Sequence, residues 1–327
     1  MEGGLHFQPI GSSGGPFTVI IKVNAHGHFE ECAVLKNASC AFGVFDGVHL
    51  GHRFIIGKAS SEARRREESC VIITFAEDPD ETFRPDSLKK LMSNQHRLRV
   101  LDSLGANYVL VLPATKGFFA LSPKEFMDRV FGNNAPASLH VGKDFRFGAH
   151  AQGRVSALKE WGAPHDMSVC GYDLLQLEGA PVTATRIRSL LASCDIAQAN
   201  RLLGSRFALE GIVETGRGQG RNMGFRTANV TIPASHYSLG EGVYGAYAVT
   251  EASRRFKAAV SVGGAPTFGS AAHANIEAHI LDFDQDIYGQ NLRLEFAAFL
   301  RPMIVFSSTE ELIETVMGNI QWCRDNL

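Results

Sequence analysis

The chain has 327 residues, of which 45% are hydrophobic and 20% charged, with a formal net charge of -2. That length suggests two domains at about 150 residues each, with apolar material enough for two cores. The near-neutral balance excludes a global basic field of the kind that grips a nucleic-acid backbone, and no apolar run approaches the ~18 residues of a membrane span. The stretch MEGGLHFQPIGSSGGPF lacks a basic region followed by an apolar one, so no secretory leader is expected. Cys32, Cys40, Cys70, Cys170, Cys194 and Cys323 are scattered with no CxxC pair, which reads as reduced thiols in the cytoplasm. Nucleic-acid and membrane partners are not expected.

In chain order, Ser39 to Val44 reads as a buried strand followed by a turn rich in glycine and histidine. Gly51 to Glu67 then places Ile55, Ile56, Ala59 and Ala63 on one helical face. Cys70 to Phe75 is the next strand. Leu88, Leu91, Leu98 and Leu101 recur at helical spacing up to a stop at Gly105. Tyr108 to Leu112 is a third strand, Ser122, Pro123 and Glu125 form a capping box with proline at the first helical position, and Ser138 to Gly142 is a fourth strand. Strands alternating with helices predict a parallel, Rossmann-like α/β sheet. Two helices close this half: Thr185 to Ala192, and Ile196 to Leu203 with Asp195 as cap and Gly204 as stop.

After Gly204 the texture changes. FALEGIVE, TANVTI, GVYGAYAVT, FKAAVSVGG, NIEAHILDF and LRLEFAAFL read as strands separated by turn residues with no helix between them, which predicts a small antiparallel β-barrel. A last helix starts near Ser308 and turns Leu312, Ile313, Val316, Met317 and Ile320 inward. The expected domains are 1–204 and 205–327.

Two constellations carry chemistry. FGVFDGVHLGH, Phe42 to His52, puts Gly43, Phe45, Asp46, Gly47, His49, Gly51 and His52 at the carboxyl end of the first strand, where open α/β sheets bind ligands. The histidines stand where a helix begins, and a helix N-terminus favours an anion. Alone, such a pair is more often structural or metal-binding; the strand–turn–helix context favours phosphate. This segment resembles the H-x-G-H motif of the nucleotidyltransferase superfamily, and the longer string resembles the adenylyltransferase module of the bacterial bifunctional riboflavin kinase/FMN adenylyltransferase (FAD synthetase) family. VTATRIRSLL is similar to that superfamily's late T-x-I-R motif, which implies Thr185, Arg186 and Arg188 as phosphate ligands, although by itself it reads as an exposed basic helix start. VGKDFRFG is similar to the family's G-x-D-F-x-F-G segment and implies Asp144 and Phe145 in a flavin pocket. The chain departs from the family at TFAEDP, where Glu77 and Asp78 replace the proline and histidine of T-F-x-P-H-P, and Ala184 replaces a usual serine. Carboxylates beside a triphosphate repel it unless a metal intervenes.

The second constellation is GRGQGRNMGFRTAN, with Gly216, Gly218, Gly220 and Gly224 in one loop able to wrap phosphates with backbone N–H groups. It lacks P-loop spacing, and on glycine content alone a mobile hairpin is the simpler reading. Thr227 and Asn229 alternate along the next strand and offer hard oxygens for Mg²⁺. This half resembles the riboflavin kinase family through GFRTAN, GVYGAYAV, GGAPTFG, IEAHILDF, IYG and FLRP, in that order, with Arg226 in place of a family proline. The resemblance implies that Thr227 and Asn229 hold Mg²⁺–ATP and that Glu277 is the base on a ribityl hydroxyl. Together the two halves imply an enzyme that phosphorylates riboflavin and adenylylates FMN, using ATP and Mg²⁺ with small-molecule substrates only. A kinase with an altered first domain, and a flavin- or nucleotide-binding regulator without turnover, both stay open at this point.

Overall fold

The computed structural model describes residues 18–24, 29–83, 89–215, 226–237, 239–263 and 275–327. Gly216, Gly220 and Gly224 lie outside them. The chain divides into two compact units: the first ends at Thr183, and the second is Ala184–Leu327 together with the short stretch Lys89–Ser93.

The first unit is built on a parallel sheet of β1 (Val19–Lys22), β2 (Ser39–Phe42), β3 (Cys70–Phe75), β4 (Tyr108–Leu112), β5 (Ser138–Gly142) and β6 (Ser168–Tyr172), in the order β1-β4-β3-β2-β5-β6. β3 is buried at every position, as a strand covered on both faces must be. Helix α1 (Leu50–Arg66) links β2 to β3 and packs on β2, β3 and β5 through Gly51, Ile56, Ala59 and Ala63. α2 (Pro79–Phe83) and α3 (Asn94–Asp102) lie between β3 and β4; α4 (Lys116–Phe119) and α5 (Pro123–Val130) lead to β5, and α6 (Val155–Gly162) leads to β6. The capping box at α5 forms: Ser122 Oγ accepts from Glu125 N, and Glu125 Oε2 accepts from Ser122 N at 2.8 Å. The core is rich in phenylalanine, with Phe42 stacked on Phe126 at 6.1 Å and Phe118 tilted on Phe126 at 5.3 Å.

A short β7 (Gln176–Leu177)/β8 (Ala180–Pro181) hairpin precedes the second unit. There α7 (Ala184–Ala192) and α8 (Ile196–Leu203) lead into β9 (Phe207–Glu214), β10 (Ala228–Thr231), β11 (Gly242–Val249), β12 (Arg255–Gly263), β13 (Asn275–Ile280) and β14 (Asn291–Arg301). These strands close into an antiparallel barrel in the order β10-β13-β12-β11-β14-β9. Alternation fills its interior with Leu209, Val230, Tyr244, Val260, Ala278 and Phe296. Helix α9 (Thr309–Asn326) packs Ile320 and Cys323 against Ala259 and Leu281.

The structure departs from the sequence reading in several places. The first strand stops at Phe42, because Gly43 and the following residues already belong to the turn. The sheet has β1 and β6 at its edges, both too short or too polar to announce themselves. The buried face of α3 runs through Arg97 and Leu101, not through Leu98. On α9, Met317 is 53% exposed. The compact units also divide ahead of the expected 204/205 boundary. α8 packs on β9 and β14, and Asn200 ties it there by donating to Phe296 O and accepting from Phe207 N.

Candidate functional sites

Strand order fixes the place of the first site. From β2 the chain proceeds to β3 and β4 on one side and later to β5 and β6 on the other, so the carboxyl ends of β2 and β5 flank a crevice at the switch point. Gly43 to His52 leaves β2 there; Asp144 and Phe145 leave β5. The Phe42 and Phe145 rings meet at 4.8 Å, and Asp144 is exposed to solvent.

The turn into α1 takes unusual backbone, with φ of +61° at Phe45, +75° at Gly47 and +39° at Val48. Such a φ is costly for a β-branched residue, and three bonds secure the turn. Val48 N donates to Phe45 O at 3.1 Å, Arg53 Nε to Val48 O at 3.0 Å, and Arg97 to Val44 O at 2.5 Å. Phe45 is 1% exposed, and its ring lies edge-on to His52 at 5.3 Å. Its side chain is therefore closed to any ligand of the turn. The same ring leaves no room at Gly43, where a Cβ would stand 2.8 Å from it.

His49 stands at the N-cap of α1, and its ring stacks on that of His52 at 3.6 Å and 18°. Gly51 permits this, since a Cβ there would meet the His49 ring at 3.1 Å and the Val182 carbonyl at 3.4 Å. Burial pulls the His49 pKa down to about 4. Burial, then the charges of His49 and Arg97, pulls His52 well below its ordinary value. Both rings are therefore neutral at pH 7, and the buried Nδ1 of each has no hydrogen-bond partner among the described residues. Two dry, uncharged imidazoles with spare hydrogen-bonding capacity at the positive end of a helix suit a phosphate.

Beneath them lies Arg97, which the sequence reading missed. It is 3% exposed and donates to Val44 O, to Thr74 Oγ1 at 2.7 Å, to Phe75 O at 2.7 Å and to Ala76 O at 3.2 Å, clasping the ends of β2 and β3. Burial lowers its pKa, while Asp78, Asp46 and Glu81 pull it back. The Asp78 carboxyl is raised, chiefly by burial, and accepts from Asp80 N at 2.9 Å. Part of its charge thus faces the Arg97 guanidinium. The one available signal for Arg97 was its place four residues before Leu101 on a helix.

Thr185, Arg186 and Arg188 fall on α7 in the second unit. Thr185 is exposed, and Arg188 Nε donates to the Lys89 carbonyl at 2.8 Å.

In the barrel, register builds the second site. Asn229 on β10 lies opposite Glu277 on β13 and opposite Glu214 on β9. Ile276, Ala278 and Ile280 turn into the barrel, so Glu277 and His279 share the outer face with Asn229. An amide and carboxylates side by side are a hard-oxygen donor set that fits Mg²⁺. Thr227 immediately precedes β10. Arg226 is exposed, and its carbonyl accepts from His279 Nδ1 at 2.8 Å; proline offers the same carbonyl. Glu214 was the second residue missed, since only strand pairing brings it beside Asn229.

The FAD synthetase family matches residues 32–186 and the riboflavin kinase family residues 203–327. A bifunctional riboflavin kinase/FMN adenylyltransferase from Pseudomonas fluorescens is 31% identical over 291 residues, 88% of this chain and 93% of its own. Its counterpart from Escherichia coli is 30% identical over 272 residues, 83% of this chain and 86% of its own. The chain belongs to the bifunctional riboflavin kinase/FMN adenylyltransferase family. The crystal structure of a macrolide-efflux protein from Streptococcus pneumoniae matches 89% of this chain and 95% of its own at a TM-score of 0.78 and 27% identity. As in that family, a FAD synthetase domain precedes a riboflavin kinase domain. No helix among the described residues is long and apolar enough to cross a membrane.

Proposed function

We propose that this chain phosphorylates riboflavin to FMN at the barrel site and adenylylates FMN to FAD at the switch-point crevice, with ATP as the donor in both steps. The observation that carries the reading is the pair of neutral, stacked histidines at the N-cap of α1, in a chain whose two halves match the two enzyme families. His49 and His52 each offer a ring N–H to a triphosphate oxygen, and the backbone of Gly43, Asp46, Gly47 and Gly51 lets phosphates approach. Thr185, Arg186 and Arg188 are assigned to phosphates on the sequence resemblance alone, and Asp144 and Phe145 are assigned to the flavin side. In the barrel Glu277 accepts the proton of the ribityl hydroxyl as that oxygen attacks the terminal phosphorus and ADP departs. Thr227 and Asn229 would hold Mg²⁺, which supplies charge neutralisation on the transferred phosphoryl group. Gly216, Gly220 and Gly224 are assigned to the phosphates on sequence alone. We assign this chemistry to the cytoplasm, a reading supported by six cysteines that stand as free thiols.

The test is a paired assay on folded protein. The parent should make both FMN and FAD from riboflavin, ATP and Mg²⁺. His49→Ala and His52→Ala should stop at FMN. Glu277→Gln should lose FMN formation by at least about 10²-fold, the usual worth of general-base assistance, yet still convert supplied FMN to FAD. A parent that halts at FMN would remove the adenylyl transfer.

A further inference from the structure

The first unit holds a second polar cluster that neither proposed reaction uses. Glu62 on α1, His140 on β5 and Cys170 on β6 each offer one ligand atom, and these atoms all lie within 4.8 Å of one another. The place is more than three turns down α1 from His49, roughly 20 Å at 1.5 Å per residue. His140 and Cys170 are register partners in the parallel β5–β6 pair, so their side chains share a face of the sheet.

His140 is 1% exposed and engaged at both nitrogens. Nε2 lies 3.3 Å from Glu62 Oε2 and 3.2 Å from Ser138 Oγ, and Nδ1 lies 2.7 Å from the Tyr172 hydroxyl. The same hydroxyl is hydrogen-bonded to the Cys170 thiol, and burial first of all pushes the Tyr172 pKa up to about 12. Burial lowers the His140 pKa, with Glu62 pulling the other way, which leaves the neutral ring a metal requires. Arg65 and Arg66 hold the other carboxylate oxygen, Glu62 Oε1, at 3.3 and 2.9 Å and so present Oε2 to the ring. A buried structural histidine needs only the bonds from Glu62 and Tyr172. The thiol beside it makes a carboxylate–imidazole–thiol set, and that mixture of hard and soft donors is the one Zn²⁺ takes.

We propose that Glu62, His140 and Cys170 bind one Zn²⁺ through a carboxylate oxygen, an imidazole nitrogen and a thiolate, fastening the edge strand β6 and its neighbour β5 to α1. Binding releases the Cys170 proton to solvent. Zn–ligand bonds of about 2.0–2.3 Å set ligand atoms roughly 3.3–3.8 Å apart, so the cluster closes by about an ångström. The Tyr172 hydroxyl at Nδ1 holds the orientation of the ring, the part an outer hydrogen-bond partner plays for a metal-bound histidine. A water completes four-coordination.

The test uses the full chain, freed of metal and kept without Mg²⁺, titrated with Zn²⁺ against a chromophoric chelator and in parallel with Co²⁺. One equivalent of Zn²⁺ should bind at micromolar or lower concentration and raise the melting temperature. The Co²⁺ form should show thiolate-to-metal charge-transfer absorption. Cys170→Ser is nearly isosteric at a half-buried position; it should weaken Zn²⁺ at least about tenfold and abolish that absorption while keeping the metal-free melting temperature. Glu62→Gln, which keeps the shape of the side chain, should weaken binding in the same way. Absence of binding at micromolar Zn²⁺, or binding and a Co²⁺ spectrum unchanged by Cys170→Ser, overturns the proposal.

Discussion

Burial sets the protonation of His49 and His52, and that choice shows in stability as well as in chemistry. Unfolded, a histidine titrates near 6.5, whereas folded His49 titrates near 4 because its charged form is desolvated. Between those values the unfolded chain binds protons that the folded ring refuses. The contribution is therefore fully present above about pH 6.5 and is lost as the pH falls towards 4, at up to about 1.4 kcal/mol per pH unit for each histidine. Denaturant midpoints at pH 7 and pH 5 should fall further in the parent than in His49→Asn, which has no group to titrate. Arg97 sits in the same layer with a different liability: its guanidinium is buried and its donors are committed to Val44, Thr74, Phe75 and Ala76. Arg97→Met takes a donor from the Val44, Phe75 and Ala76 carbonyls and from the Thr74 hydroxyl, and removes the charge facing Asp46, Asp78 and Glu81. It should destabilise the first unit by about 3–5 kcal/mol, as breaking a buried charged network does, and stop FAD formation while FMN formation continues. Chemical denaturation followed by the two product assays checks both halves of that statement.

At the scale of elements, the start of α1 is the joint on which the first site turns. Gly51→Ala would push a methyl into the His49 ring and towards the Val182 carbonyl, displacing the ring from its stack rather than unfolding the helix. FAD formation should drop by about tenfold or more, since small misplacements at a reacting centre are costly, with little change in melting temperature. The elements that carry local signals were legible in the sequence. β3, β4 and β5 have the expected bounds, the box at Ser122 and the Asp195–Gly204 frame of α8 are as read, β9 matches its run FALEGIVE, and the other barrel strands differ by one to three residues at their ends. What escaped depends on neighbours far along the chain. β6 is half exposed at the sheet edge and shows no apolar run. Arg97 occupies an inward position that periodicity reserves for leucine, and only the converging carbonyls of β2 and β3 make a guanidinium acceptable there. His49, His52, Asn229 and Glu277 could be named from motifs, but the stacking of the first two and the direct opposition of the last two belong to tertiary structure.

At the scale of the molecule, the two units solve the problem of unpaired backbone differently. The sequence announced the change from alternating strands and helices to strands alone, and hence two architectures. It did not announce that α7, α8 and the distant stretch Lys89–Ser93 go with the barrel, because that grouping rests on bonds such as Lys90 N to Ser235 O at 2.8 Å and Ser93 Oγ to Glu210 Oε2 at 2.7 Å. Among the described residues, β1 and β6 of the open sheet have a partner on one side only, whereas each barrel strand has a partner on both. A strand at a rim can detach by giving up one ladder; a strand in a closed ring must give up two. Deuterium uptake should therefore be graded across the first unit, quickest at Ser168–Tyr172 and slowest at the amides of β3. Across the barrel it should be nearly uniform, in β11, β12 and β14 alike, and released only by opening of the whole ring. Mass-resolved exchange on the intact chain reads both patterns at once, and an early-exchanging β11 or β14 would contradict a continuous ring.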